Sequence, residues 1–162
     1  MTSRQSIAPA EGMKHQVSVA NYPSSHRARL ERLMKAGHEA GDEAIVKRIM
    51  ASDFVLHCPD GSSKTRDESA ETYAAMRNAL SSFTITCDLV VAEGDMIACR
   101  TSMDGRFTRP FTMMEDKKIE AHGRPVHFET VSIYRFDPHG VLVEEWAQSD
   151  NMTLFKQLGM TI

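Results

Sequence analysis

The feature that most constrains the fold is a pair of strand-like segments that flank a tight turn near the end of the chain. Residues 127–136 (HFETVSIYRF) are rich in aromatic and β-branched residues, and residues 141–150 (VLVEEWAQSD) return after a turn at Asp137-Pro138-His139-Gly140. Side chains alternate between the two faces of a strand, so one face of the second segment presents Glu144, Trp146, Gln148 and Asp150. An indole beside an amide and a carboxylate predicts the wall of a pocket rather than a dry core.

Before this hairpin, the spacing of apolar residues changes from helical to strand-like. Residues 25–50 predict two helical pieces, broken around Gly37 and Gly41, and residues 66–80 predict a further helix. Strands are predicted at residues 53–58, 84–92, 96–107, 126–136 and 141–149, with turns at Gly94 and Gly105 and a last helix beside Asp150. Helices followed by antiparallel strands predict an α+β fold, in which the N-terminal helices cap a curved antiparallel sheet. The cone-shaped space between them would suit a small apolar ligand.

Composition limits the possible partners and the number of domains. The chain has 162 residues, 41% of them hydrophobic, which is enough for one domain, predicted at residues 25–162 after a disordered tail at 1–24. A formal net charge of -3, with both signs interspersed, argues against nucleic acid and membrane surfaces as partners. The chain shows neither a secretory signal nor an apolar run near the roughly 20 residues of a membrane helix. Three cysteines at irregular spacing predict reduced thiols, and we expect a cytoplasmic protein.

Three segments in succession resemble the SnoaL-like polyketide cyclase family of the nuclear-transport-factor-two-like superfamily: FVLHCPDG, DLVVAEGDMIACRTSMDGRF and GRPVHFETVSIYRFDPHGVLVEEWAQSDNMTLFKQLGM. The most specific motif is Glu145-Trp146-x-x-x-Asp150 followed by Gln157-Leu158-Gly159. The resemblance spans about residues 25–160. It implies a cone-shaped, cystatin-like roll, a homodimer formed through the sheet, and a pocket that uses no cofactor and no metal. It also implies that Asp150 serves as general acid and base in an aldol-type ring closure.

The chain departs from the family pattern in two places. Family members commonly carry Thr-His before the glycine matched by Gly105, whereas this chain has Met103-Asp104 there. The connection at residues 108–124 is longer and more charged than is usual in the family, and predicts either a lid or a surface loop.

Two residues are candidates for catalysis. Asp150 is either a carboxylate in the apolar cone, with its pKa raised by burial, or the N-cap of the last helix. His57, at the end of a short strand, is either a general base or hydrogen-bond donor to a ligand carbonyl, or a capping or core histidine.

Further residues are candidates for binding the substrate. Trp146 could stack on a flat ligand or pack in the core, and Gln148 could bind a carbonyl. Arg100 points either into the cone, as an electrophile for an enolate oxygen, or outward to pair with Asp104. The remaining candidates are Tyr73 on the predicted helix, Met103 together with Met113 and Met114, and His127, for which the sequence leaves the face open.

The leading hypothesis is a cofactor-independent cyclase, isomerase or dehydratase that acts by proton transfer on an apolar, oxygenated small molecule of polyketide or terpenoid type. A non-catalytic module that binds a ligand or dimerises is the alternative. Epoxide hydrolysis by an Asp-Arg-Asp arrangement is a third hypothesis. Arg100 suits it, but Ser102 and Gln148 stand where the carboxylates would be.

Overall fold

The computed structural model describes residues 24–113 and 117–160, so the predicted tail lies, apart from its last residue, outside the described residues. The first helix, α1 (Ser24–Arg32), continues directly into a π-helical segment (Leu33–Glu39). Helix α2 (Glu43–Ile49) then begins at Asp42, whose carboxylate accepts hydrogen bonds from the amides of Ala44 and Ile45. The two predicted helical pieces are thus present, separated by a turn at Gly41.

The strands and the remaining helices follow in chain order: β1 (Met50–His57), β2 (Ser63–Thr65), α3 (Arg66–Ala79), β3 (Leu80–Glu93), β4 (Met96–Phe107), β5 (Phe111–Met113), β6 (Lys117–Ile119), β7 (Pro125–Phe136), β8 (Leu142–Ser149) and α4 (Asn151–Gln157). Six strands form one sheet in the order β2-β1-β8-β7-β4-β3, and β5 pairs with β6 in a separate hairpin. Strands β1 and β8 are parallel to each other, and the other neighbours in the sheet are antiparallel. The predicted α+β class with a curved sheet is confirmed.

Helix α3 starts at a capping box. The Thr65 hydroxyl accepts a hydrogen bond from the Glu68 amide, and the Glu68 carboxylate accepts one from the Thr65 amide at 2.8 Å. The helix ends at Ala79, one residue before the predicted end, because Leu80 already belongs to β3.

The sheet has two unlike faces. The inner face, against which the helices pack, carries Ile97, Met103, Val126, Phe128, Tyr134 and Phe136, all buried. The outer face carries exposed residues that alternate with these, such as Val131 and Ile133 on β7. The core therefore lies between the inner face and the helices, as the capped-sheet prediction requires.

The predicted turn at Asp104-Gly105 is wrong, because β4 runs through both residues to Phe107. Gly105 is needed for close packing instead. A Cβ atom at this position would lie 2.9 Å from the Cβ of Leu80, on the neighbouring strand. The connection at residues 108–124 is not a plain loop, since it contains the β5–β6 hairpin. No helix in the described ranges is long and apolar enough to cross a membrane.

Candidate functional site

A cavity of about 690 Å³ opens at one end of the inner face, between α3 and α4. Its apolar wall includes Met76, Leu80, Phe111, Phe128, Leu154 and Leu158. Polar groups stand at the rim, where the ammonium of Lys64 donates a hydrogen bond to the Thr72 hydroxyl at 2.9 Å. A cavity of this size with an apolar wall and few polar groups suits a small organic molecule. We call it the α3–α4 cavity.

Next to Phe128, the inner face changes from large to small side chains. Strand register places Thr101, Thr130 and Ser149 in one row across the sheet, and Cys99, Ser132 and Ala147 in the next. We call these six residues the inner band. The inner band follows Phe128, which lines the α3–α4 cavity, along the same face of the sheet towards β7 residue Tyr134.

Beyond the inner band, the next row sets a carboxyl group beside a phenol. Glu145 on β8 pairs with Tyr134 on β7, and both are buried. Burial raises the pKa of Glu145 to about 7, although the hydroxyls of Ser132 and Tyr134 partly offset the effect. Glu145 can therefore both hold and release a proton near neutral pH, which is the requirement for a general acid or base.

Neutral polar groups surround this carboxyl. Burial raises the pKa of Tyr134 and of Tyr73 on α3, with Glu145 adding to the effect, so both phenols keep their protons. The Tyr73 ring stacks on His38 with ring centres 3.9 Å apart, and burial, assisted by Arg77, lowers the pKa of His38 to about 3. His38 is therefore neutral at physiological pH.

Among the described residues, Ser132 Oγ and His38 Nδ1 are buried without a hydrogen bond of ordinary geometry, although the Ser132 hydroxyl lies close enough to Glu145 to lower the pKa of that carboxyl. Unpaired buried polar atoms are costly in a folded protein, so a group of this kind calls for an explanation. The Ser132 hydroxyl thus lies beside a titratable carboxyl and can donate either to Glu145 or to the oxygen of a bound molecule.

The predicted site residues on β8 lie on the other side of the sheet. The pocket-wall prediction for Glu144, Trp146 and Gln148 is wrong, because the residues of β8 that point inward are Glu145 and Ala147. Trp146 is half-buried and Gln148 is exposed.

The structure does bring together two predicted residues, but on the outer face. His57 stacks on Trp146 with ring centres 5.3 Å apart, and His57 Nε2 lies 2.8 Å from Glu144 Oε1. Arg135 also donates to Glu144, and Arg135 together with His57 lowers the pKa of that carboxyl. His57 thus belongs to an ion-pair cluster outside the cone, away from the α3–α4 cavity.

Asp150 is exposed and serves as the N-cap of α4. Its carboxylate accepts hydrogen bonds from the Thr153 amide at 3.0 Å and from the Thr153 hydroxyl at 2.6 Å. These bonds lower the pKa of Asp150. The prediction of a buried carboxylate with a raised pKa is therefore wrong, and the capping alternative is confirmed.

Two further candidates also lie on the outer face. Arg100 points outward but pairs with Asp88 at 2.9 Å rather than with Asp104. Asp104 instead lies 2.7 Å from His127, which the structure places outward while Phe128 points inward. The Asp-Arg-Asp arrangement of the epoxide hydrolase hypothesis is therefore not formed around Arg100.

Tyr73 and Met103 do lie on the inner side. Tyr73 belongs to the group around Glu145, and Met103 pairs in register with Phe128 beside the α3–α4 cavity. The side chains of Met113 and Met114 lie outside the described residues. Within residues 24–113 and 117–160, no group of three or more His, Cys, Asp or Glu side chains is placed to hold a metal ion.

The sequence alone does not single out Glu145, Ser132, Tyr134 or His38 as site residues. Glu145 stands out only as part of the family motif, because its neighbour Trp146 favours the opposite face of β8 as the wall of a pocket. The available signal is the set of aromatic residues on one face of β7, where Phe128, Tyr134 and Phe136 share a face with Ser132. In the predicted hairpin, the residues of β8 that pair with this face of β7 point in the same direction, so they are the inward residues.

Solved structures with the same fold come from several bacteria. IdmH, a proposed polyketide cyclase of Streptomyces antibioticus, is 24% identical with a TM-score of 0.68, and the match covers 83% of this chain and 99% of that chain. AclR, a proposed hydroxylase of Streptomyces galilaeus, is 19% identical with a TM-score of 0.69, over 83% of this chain and 80% of that chain. An LEH-like epoxide hydrolase of M. tuberculosis is 14% identical with a TM-score of 0.60, over 83% and 89%.

These likenesses show a shared fold, and the names cover several reactions. No curated protein matches the chain. The sequence model of the SnoaL-like polyketide cyclases matches residues 28–158, which is most of the chain. The chain therefore belongs to the SnoaL-like polyketide cyclase family.

Proposed function

We propose that this protein is an enzyme that binds an apolar, oxygenated small molecule between its helices and the inner face and transfers a proton within it, without a cofactor. The observation that supports the proposal most directly is Glu145, a buried carboxyl with a pKa of about 7. Cyclisation, isomerisation and dehydration of polyketide- or terpenoid-like compounds all need such a proton transfer.

The proposed ligand enters through the α3–α4 cavity and extends over the inner band. From Phe128 to Ser132 is four residues along β7, or about 13 Å at the usual rise of a strand. A molecule of several fused or prospective rings spans this distance. Its far end would then lie beside Glu145.

In this arrangement, Glu145 in its ionised form removes a proton from a carbon next to a carbonyl group. The developing enolate oxygen accepts hydrogen bonds from neutral donors, for which Ser132 Oγ and the Tyr73 phenol are candidates. Fixed donors in a water-poor site stabilise such a charge strongly. Protonated Glu145 then returns the proton at another atom, which completes an isomerisation or follows ring closure.

Asp150 is the second candidate for the proton carrier, because the family resemblance assigns the role to its position. Its lowered pKa and its exposure make it a weaker base than Glu145 near neutral pH. His57 would assist Asp150 in that scheme, although the two residues are not in hydrogen-bond contact among the described residues.

The test compares Glu145→Gln with Asp150→Asn in a screen of polyketide and terpenoid carbonyl compounds. Both variants keep the shape of the side chain and remove the carboxylate. Binding is measured by thermal shift and product by chromatography. We expect wild type and Asp150→Asn to form product from the same compound, and Glu145→Gln to bind it without turnover.

A pH profile adds an independent readout. If ionised Glu145 is the base, the rate should rise as the pH passes through about 7. Turnover by Glu145→Gln together with loss of turnover in Asp150→Asn would transfer the role to Asp150. Binding without product in all three proteins would favour the non-catalytic ligand-binding alternative.

We further propose that a second copy of the chain covers the outer face. An apolar row crosses four neighbouring strands there, with Val91, Ala98, Ile133 and Trp146 paired in register. Val91 is 59% exposed and Ile133 is 42% exposed, and Leu89 and Val131 extend the patch. Contiguous exposed apolar surface of this kind marks an interface, and two-fold dimers are the commonest closed assembly.

Light scattering after size-exclusion chromatography tests the dimer. Ile133→Lys should give a monomer, whereas Met152→Lys should not, because Met152 is an exposed apolar residue on α4 and not on a strand of the sheet. A monomeric wild type, or an Ile133→Lys dimer, would contradict the proposed interface.

A further inference from the structure

Two of the three cysteines lie together on the inner face. Cys87 on β3 and Cys99 on β4 both contact one hydroxyl, with Thr101 Oγ1 3.8 Å from the Cys87 sulfur and 3.6 Å from the Cys99 sulfur. Strand register pairs Cys87 with Thr101, so Cys99 is its diagonal neighbour on the same face. The third cysteine, Cys58, lies in the turn after β1 on another strand pair.

The two thiols differ in access. Cys99 is 1% exposed, whereas Cys87 is half-buried and can be reached by a small reagent. The neighbouring Cys99 thiol, which can donate to a Cys87 thiolate, lowers the pKa of Cys87 to about 7, and the Thr101 hydroxyl acts in the same direction. The hydrogen bond that the Cys99 thiol donates to Cys87 in turn raises the pKa of Cys99, and burial adds to this effect.

The backbone between them is irregular, which favours closure of a bond. The register of β3 on β4 shifts between Cys87 and Leu89, so Asp88 is an extra residue there. Diagonal neighbours in a sheet stand about 7–8 Å apart, whereas the two Cα atoms of a disulfide stand about 4.4–6.8 Å apart. Closure of the bond therefore requires the two strands to approach each other at the bulge.

We propose that Cys87 and Cys99 form an oxidisable dithiol on the inner face, which a hydroperoxide converts into an intramolecular disulfide. The Cys87 thiolate attacks the peroxide oxygen, the O–O bond breaks, and Cys87 becomes a sulfenic acid while the leaving oxygen takes up a proton as water or alcohol. The Cys99 sulfur then attacks the Cys87 sulfur, the S–S bond forms and water leaves. The two sulfurs are oxidised and the two peroxide oxygens are reduced.

This division of roles follows from access. A half-exposed thiol with a lowered pKa reacts first, and a buried thiol beside it resolves the product. Because Cys99 belongs to the inner band, the modification alters the wall over which the proposed ligand extends. The dithiol itself does not depend on the proposed function, since its oxidation can be measured without any substrate.

The experiment treats the reduced full-length protein with hydrogen peroxide at a small molar excess, followed by intact mass and peptide mapping without reductant. Trypsin leaves both cysteines in one peptide, residues 78–100, and cleavage after Glu93 separates them. We expect the loss of two hydrogens per chain, and a linked pair of peptides that contain Cys87 and Cys99. Dithiothreitol should reverse the change.

Variants assign the roles. Cys58→Ser should form the disulfide like wild type, and Cys99→Ala should instead stop at a sulfenic acid on Cys87 that dimedone traps. The rate at which iodoacetamide alkylates Cys87 in the wild type should reach half its plateau at a pH below the value of about 8.5 that is usual for a free cysteine. The peptide map of the wild type needs no variant, so a misfolded Cys99→Ala does not remove the test.

Three results would overturn the proposal. The first is a sulfinic acid at Cys87 with no linked peptide, and the second is a linked pair that includes Cys58. The third is resistance of all three thiols to peroxide in the folded protein.

Discussion

Replacement of Glu145 by glutamine should make the protein more stable, and more so at high pH. Burial raises the pKa of this carboxyl from its ordinary 4.5 to about 7. Below 4.5 the folded and unfolded chains both carry the proton, and burial of the neutral acid has no ionic cost. Between 4.5 and about 7 the unfolded chain releases the proton while the folded chain keeps it, so the free energy of unfolding falls as the pH rises.

The size of the effect follows from the shift. Each pKa unit corresponds to about 1.4 kcal/mol, so the shift from 4.5 to about 7 costs the wild type about 3 kcal/mol above neutral pH. Glutamine does not titrate and avoids this cost. The gain in stability of Glu145→Gln over wild type should therefore be about 2 kcal/mol larger at about pH 8 than at about pH 5.

Urea unfolding at both pH values measures the difference at one fixed protein concentration, with the single tryptophan, Trp146, as the fluorescent probe. Glu144→Gln is the matched control, because it is the adjacent residue on the opposite face. The pKa of Glu144 is lowered by Arg135 and His57, so this variant should be less stable than wild type at about pH 8, and the gap should close in acid. Equal gains for Glu145→Gln at both pH values would refute the buried, titrating carboxyl.

Three other changes test the capping, packing and cavity assignments. Asp150→Ala should lower the thermal midpoint and Asp150→Asn should largely preserve it, because only the amide can still cap α4; equal midpoints for the two would contradict the capping role. Gly105→Ala should cost about 1–3 kcal/mol in urea unfolding, since its Cβ would overlap that of Leu80, and a neutral result would show that β3 can shift. Leu154→Trp should fill the α3–α4 cavity and abolish the thermal shift by any ligand, whereas Met152→Trp, exposed on the same helix, should not; binding by Leu154→Trp would place the ligand elsewhere.

The sequence predicts the long helices and strands well, because the spacing of apolar residues along each of them indicates its type. Residues 96–107 and 141–149 favour strands, and β4 (Met96–Phe107) and β8 (Leu142–Ser149) match them within one residue. The strands β2, β5 and β6 have three residues each, which is too short for any period to show. Their pairing depends on contacts distant in the chain.

Gly105 shows a second kind of limit. A glycine after an aspartate is typical of a turn, and the same pair does form one at other positions of many chains. Here the small residue is required by Leu80, which is 25 positions earlier in the chain and adjacent in the sheet. The residues close to Gly105 in the chain do not indicate that Leu80 is its neighbour in the sheet. The predicted turn is therefore wrong because of a tertiary contact.

The prediction of the site from sequence depends on which of the two faces of β8 points inward. The face with the bulky side chains points outward. Glu144, Trp146 and Gln148 offer more functional groups than Glu145, Ala147 and Ser149, so they are the more conspicuous set. A wall of a cavity, however, must leave space in front of it, and a large side chain that points inward fills that space. Ala147 and Ser149 are small and lie next to Ser132 on the inner face, and the buried Glu145 follows them on β8. The proposed site therefore rests on a row of small residues that ends in one buried carboxyl, and not on the aromatic residue beside polar groups that the sequence makes conspicuous.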